Sequence, residues 1–159
     1  MICGDAMLTH FVSARPDQTV GDVLDLLERH HLQALPVVDA QGICVGRFSF
    51  DELIGALLPS SVFFGKKMLK KANLRLDFLV GGEPANLAKS LGELRGIPVG
   101  DLMDATIRGV HPDTGLWEGM RILKQTGSPI PVCDADSNRL VGVLSAQAVT
   151  QLLARALRP

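Results

Sequence analysis

This chain lacks most of what would announce a chemistry. Its three cysteines are odd in number and show no C-x-x-C spacing, and Cys44 and Cys133 sit inside apolar stretches as small hydrophobes would. A reduced, cytosolic compartment is the expectation. Sixteen basic residues against seventeen acidic ones leave no net field to attract nucleic acid or an anionic membrane. No apolar run approaches the roughly eighteen residues of a membrane span. No basic segment followed by an apolar core stands at the start, so no signal peptide is expected. There is no P-loop, no dinucleotide glycine fingerprint and no Cys/His cluster, and no serine or cysteine stands in a nucleophile motif. No catalytic constellation or metal site can be assembled, and an enzyme is not expected.

Some features imitate chemistry without supplying it. Asp134-x-Asp136-x-Asn138 begins like a calcium loop, but Arg139 replaces the needed glycine and Ser145 stands where the bidentate glutamate belongs. A polar hairpin turn is the better reading. His30 and His31 are adjacent and would point apart on a helix, while His10 and His111 are isolated near turns. Trp117, alone on a helix, reads as a core residue rather than a stacking platform.

What is present is a repeat. Asp5, Met7, Pro16, Asp17 and Leu27 recur as Asp101, Met103, Pro112, Asp113 and Leu123. Pro36-Val37, Asp39-Ala40, Val45-Gly46 and Ser49 recur as Pro131-Val132, Asp134-Ala135, Val141-Gly142 and Ser145. The spacing is 96 residues, falling to 95 through the strand and recovering in a turn one residue longer. One-residue slips at junctions are what two copies of one supersecondary unit show.

Each copy reads as strand, helix, strand, strand, helix. In the first, residues 11–14 form a short strand stopped at Arg15-Pro16, since proline fixes its own dihedral and biases its neighbour. Thr19 caps a helix whose apolar face holds Val20, Val23, Leu24, Leu27 and His31. Residues 34–38 and 43–48 form a hairpin closed by Asp39-Ala40-Gln41-Gly42, and residues 51–58 a second helix ended by Pro59. The second copy follows with strands at 107–110, 130–133 and 140–144 and helices at 115–126 and 146–157. A sheet with helices on one face leaves the other bare, so the two sheets should pack together.

The order Asp-x-Met, apolar strand, Pro-Asp, amphipathic helix, Leu-Pro-Val-Val-Asp, apolar-Gly-x-x-Ser resembles the cystathionine-β-synthase (CBS) domain, and two copies resemble the paired Bateman module. The resemblance covers residues 5–58 and 101–156. It implies an α/β fold in which two β-α-β-β-α repeats pack sheet to sheet about a pseudo-two-fold axis. The expected organisation is repeat 1 over residues 1–58, a partly helical insert over 59–98 and repeat 2 over 99–159.

The resemblance also implies an adenosine-containing ligand, AMP, ADP, ATP or S-adenosylmethionine, with or without magnesium, in clefts between the repeats. In the family a Gly-x-x-Ser/Thr-x-x-Asp motif opens the last helix, its hydroxyl meeting phosphate or ribose and its carboxylate the ribose hydroxyls. Here Ser49 matches the hydroxyl and Glu52 stands at the carboxylate position, one methylene longer. In the second copy Ser145 is kept, but Ala148 replaces the carboxylate. The base is held by the opposite repeat, so the better cleft combines Arg47, Ser49 and Glu52 with Ile107, Arg108, Gly127 and Ser128. The weaker one combines Ser145 with Phe11, Val12, Leu32 and Gln33. Arg47 and Arg108 are candidate phosphate partners, since guanidinium matches phosphate geometry. The same serines and Glu52 also suit ordinary helix capping. No cofactor is required for such a regulatory role. A homodimer and a separate effector protein are implied, without nucleic acid or membrane as partners. A structural interaction module with decayed nucleotide sites is the alternative.

In the insert, residues 62–72 could form a helix with Phe63, Phe64, Met68 and Leu69 opposite four lysines, its apolar side covering the core. Residues 74–80 read as extended and 85–94 as another helix.

Overall fold

A computed structural model of the chain describes residues 1–57 and 87–159. After a 3₁₀ turn at Cys3–Asp5 come α1 (Val20–Arg29), β1 (Ala34–Val38), β2 (Cys44–Ser49) and α2 (Phe50–Leu57). Then follow α3 (Leu87–Leu94), α4 (Val99–Leu102), α5 (Leu116–Thr126), β3 (Ile130–Cys133), β4 (Leu140–Leu144) and α6 (Ala146–Ala156). The expected helix and extended piece at 62–72 and 74–80, and the start of the one at 85–94, lie outside the described residues. Among the described residues no helix is long and apolar enough to cross a membrane.

Local chemistry places these elements. Thr19 accepts a hydrogen bond from the Asp22 amide at 3.2 Å, and the Asp22 carboxylate accepts from the Thr19 amide at 3.3 Å, a reciprocal cap for α1. Val20, Val23 and Leu27 then face the core. β1 and β2 form an antiparallel hairpin, as do β3 and β4, with a register shift at the same place in each. The Asp39 carboxylate closes the first turn by accepting from the amides of Gln41 and Ile43, both at 2.9 Å. Asp134 closes the second by accepting from the amides of Asp136 and Ser137 and the Ser137 hydroxyl. The calcium-loop imitation is therefore a self-satisfied polar turn.

The first strand of each repeat is cut to one residue. Ala14 pairs in parallel with Val37, and Val110 with Val132. Ala14 donates to the Pro36 carbonyl at 3.0 Å and accepts from Val38 at 2.8 Å. Extending this ladder backward would need an amide hydrogen on Pro36, and extending it forward one on Pro16. Neither exists. Pro131 and Pro112 impose the same limit on Val110.

The halves are tied by an exchange of segments. Leu8, from the opening segment of repeat 1, pairs with Val143 in β4, and Asp104, from the opening segment of repeat 2, pairs with Arg47 in β2. Ile2 likewise meets Gly115, and Pro98 meets Thr19. Cys3, Ala6 and Met7 are thereby packed into the core formed by Val110, Leu116, Ile130, Val132 and Leu144. Leu94, Val99, Leu102 and Met103 complete the core of Leu35, Val37 and Phe48. Each sequence repeat supplies part of the other's interior. The hairpins also meet where Ile43 bridges Arg139, with the Leu140 amide donating to the Gly42 carbonyl at 2.9 Å.

The repeated glycines mark the close approach. A Cβ on Gly46 would lie 2.7 Å from Met103 Sδ and 2.9 Å from the Asp104 carbonyl oxygen. On Gly142 it would lie 2.9 Å from the Leu8 carbonyl oxygen and 3.2 Å from Met7 Sδ.

The strands expected at 11–14 and 107–110 are thus single bridge residues, and two further expectations are corrected. α1 stops at Arg29, and His31 is exposed with a φ of +53°, so it leaves the apolar face. Trp117 is 80% exposed rather than core. It follows the buried Leu116 by one residue, about 100° around the helix, while Leu116 and Gly119 take the inward positions.

Candidate functional site

The residues expected to line the better cleft meet where β2 runs into α2. Arg47 and Ser49 are two residues apart on a strand and so share a face, and Glu52 lies one turn into the helix. Ser49 accepts from the Asp51 amide at 3.2 Å. The Glu52 carboxylate turns back, accepting from the Ser49 amide at 2.6 Å and from the Ser49 hydroxyl. Both residues are buried. Burial pushes the Glu52 carboxyl upward in pKa, opposed by the Ser49 hydrogen bonds and, more weakly, by the Arg47 charge. The carboxylate that could grip ribose hydroxyls is thus engaged at its own helix start.

Arg47 points to the other repeat. Its Nη1 donates to the carbonyls of Gly127 at 2.9 Å and Pro129 at 3.1 Å, and its Nη2 to that of Thr126 at 2.5 Å. These carbonyls lie at the C-terminal end of α5, where unpaired acceptors and the helix dipole favour a cation. Gly127, at φ +81°, turns the chain out of the helix there. Arg47 is 6% exposed, and its Nε is the one buried side-chain nitrogen or oxygen without a partner among the described residues.

The structure brings Arg47, Ser49 and Glu52 together at the end of β2 and the start of α2, and joins Arg47 to Gly127. Ser128 is adjacent, but its hydroxyl accepts from the Ala146 amide at 3.0 Å and serves the start of α6. Ile107 is half-buried and Arg108 exposed, just beyond the Asp104 segment that pairs with Arg47. Among the described residues no hydrogen bond or ion pair joins Ile107 or Arg108 to Ser49 or Glu52. Sequence reasoning missed the carbonyls of Thr126 and Pro129; a buried-strand arginine facing a helix end was the available signal.

Among the residues expected at the weaker cleft, Ser145 caps α6 by accepting from the Ala148 amide at 3.1 Å. Phe11 and Val12 are half-buried, Leu32 and Gln33 exposed. The Gln33 carbonyl accepts from the Phe50 amide at 3.2 Å. At the position equivalent to Arg47 stands Val143, buried and uncharged. A wide groove at the opposite, hairpin-turn end, lined by Ser13, Arg15, Asp39 and Arg139, contains none of these residues. Among the described residues no group of three acidic, histidine or cysteine side chains is placed to hold a metal ion.

Comparison with known proteins identifies the family and the fold. The model of the CBS domain matches twice, over residues 3–59 and 99–155. The CBS domain-containing protein CBSX2, chloroplastic, of Arabidopsis thaliana is 31% identical over 133 residues, 82% of this chain and 53% of that protein. The uncharacterized protein MJ1426 of Methanocaldococcus jannaschii is 35% identical over 54 residues, 34% of this chain and 32% of its own length. The chain therefore spans about half, or less, of these curated relatives. A crystal structure of CBSX2 in complex with AMP superposes with a TM-score of 0.70 at 27% identity, covering 99% of this chain and 98% of that one. The CBS domain pair of protein MJ0100, solved with 5′-methylthioadenosine and S-adenosyl-L-methionine, has the same fold at 18% identity and a TM-score of 0.63, covering 96% and 99% of the two chains.

Proposed function

The chain belongs to the CBS domain family as a tandem pair, and from that premise we propose that it is a non-catalytic regulatory module binding an adenosine-containing ligand between its repeats. AMP, ADP, ATP and S-adenosylmethionine are the candidates. The observation that carries the reading is the likeness, over nearly the whole chain, to a pair crystallised with AMP. The pseudo-symmetric placement of Ser49 and Ser145 at helix starts beside the opposite repeat's segments supports it.

The mechanism is a population shift. A ligand spanning both repeats favours one relative arrangement by its differential affinity, and no further. The signal then passes to a separate chain through a surface of a cytosolic homodimer. Three free cysteines are consistent with a reducing compartment.

A second reading, an interaction module with degenerate sites, has a specific support. Glu52 is spent on Ser49, and Ala148 replaces the other carboxylate. A thermal-shift panel of AMP, ADP, ATP and S-adenosylmethionine, with and without magnesium, separates the two. A ligand at a hundred times its Kd contributes about 2.7 kcal/mol, or roughly 5–11 °C in a chain of this size. A shift for one adenosine ligand supports the sensor. No shift anywhere in the panel leaves the interaction module.

A further inference from the structure

We propose that Arg47 decides which cleft a ligand enters: its guanidinium closes the Ser49–Glu52 cleft by occupying the carbonyls of Thr126, Gly127 and Pro129, and an adenosine ligand takes the Ser145 cleft first. The ligand half rests on the function proposed above; the clasp itself does not.

The clasp is a contact between repeats. Arg47 leaves β2 of the first and ends on three backbone oxygens of the second, at 2.5–3.1 Å. Its planar fork suits several fixed acceptors at once, and the α5 C-terminus adds favourable field. Those oxygens belong to the turn just before β3, the turn that resemblance assigns to the base of a ligand in this cleft. A base reaching those oxygens must share them with the guanidinium, one lone pair each, or displace it. Displacing Arg47 would strand a buried cation and strip three carbonyls of a partner, a cost that sets this cleft at a disadvantage.

The chain contains its own comparison. Pseudo-symmetry carries Arg47 onto Val143 and the Thr126–Pro129 turn onto the turn around His31, Leu32 and Gln33. Val143 has no donor to cross the cleft, and Leu32 and Gln33 are exposed. The motif at Ser49 and Glu52 is the fuller one, yet the cleft that keeps only Ser145 is the one without a clasp.

The test is calorimetric titration of AMP into the full-length protein and into Arg47→Val, with ¹⁵N NMR of arginine side chains in both. Wild type should bind one AMP per chain, moving the amide resonances of Leu8, Leu32 and Ser145. Arg47→Val should add a second site, at least tenfold tighter than any second event in wild type. Two equivalent sites in wild type, or one stoichiometry in both proteins, overturns the assignment of clefts. Absence of AMP binding in both overturns the ligand reading and leaves the clasp to the NMR. There wild type should show a guanidinium with slowed rotation and resolved Nη hydrogens that is missing in Arg47→Val, apart from any signal of Arg121, which Glu118 holds in both proteins. Failure to find it in wild type overturns the clasp even where the variant does not fold.

Discussion

Replacing Gly46 with alanine tests how tightly the exchanged segment is seated. In an open strand this change would stabilise by roughly 0.5–1 kcal/mol, because alanine loses less backbone entropy on folding. Here the new methyl would lie 2.7 Å from Met103 Sδ and 2.9 Å from the Asp104 carbonyl oxygen. The sulfur can swing away, but the carbonyl cannot, since it accepts from the Arg47 amide at 3.0 Å while the Asp104 amide donates back at 2.8 Å. The segment must lift, straining both bonds and loosening Met103 and Leu102 from the first core. Overpacking costs about 1–3 kcal/mol and each weakened hydrogen bond about 0.5–1.5 kcal/mol. Against the entropic gain, a net loss of about 2–4 kcal/mol is expected, or roughly 4–16 °C in Tm by differential scanning calorimetry. Gly92→Ala in α3, with nothing within 4 Å of the added methyl, is the control and should hold or raise Tm. A Gly46→Ala protein as stable as wild type would refute the argument.

Thr19→Ala should cost about 1 kcal/mol through loss of the α1 cap, seen as an earlier urea midpoint with unchanged slope. Burial raises the Glu52 pKa above the usual glutamate range, so the folded state holds its proton more tightly than the unfolded one. Stability should therefore fall as pH rises from the ordinary value through the raised one, and Glu52→Gln should flatten that part of the curve in pH-dependent melts. Burial pushes the Cys44 thiol up to about 11, with Cys3 and Cys133 also raised. Alkylation near neutral pH should be slow when folded and reach three equivalents on denaturation. Rapid labelling of Cys44 in the native protein would contradict its packing.

The repeat, the hairpins and the cap at Thr19 were legible because each depends on neighbours close in sequence. Pro16 was legible as a strand stop and Pro112 as a turn, whereas Pro36 and Pro131 read only as members of their strands; the structure adds that the prolines bracket a one-residue ladder on both sides. The exchange of segments was not legible. Asp5 and Asp101 stand 96 residues apart whether each stretch packs on its own repeat or on the other, so periodicity is blind to the choice. Arg47 was recognised as a cation near the cleft, but its target depends on how the halves dock. Trp117 and His31 failed for a simpler reason. Helical spacing says which residues share a face, and it says neither where the helix stops nor whether a lone aromatic is covered.

The exchanged segments mean that the unit of sequence repetition and the unit that excludes water are different objects. A cut just before residue 99 respects the first and violates the second. The C-terminal fragment would keep Val99, Leu102 and Met103, which fill the other half's interior, and lose Cys3, Ala6 and Met7, which fill its own. Each fragment would then carry a hydrophobic strip with no place of its own and a matching slot unfilled. Two such fragments mixed together should recognise one another, since each holds the piece the other lacks.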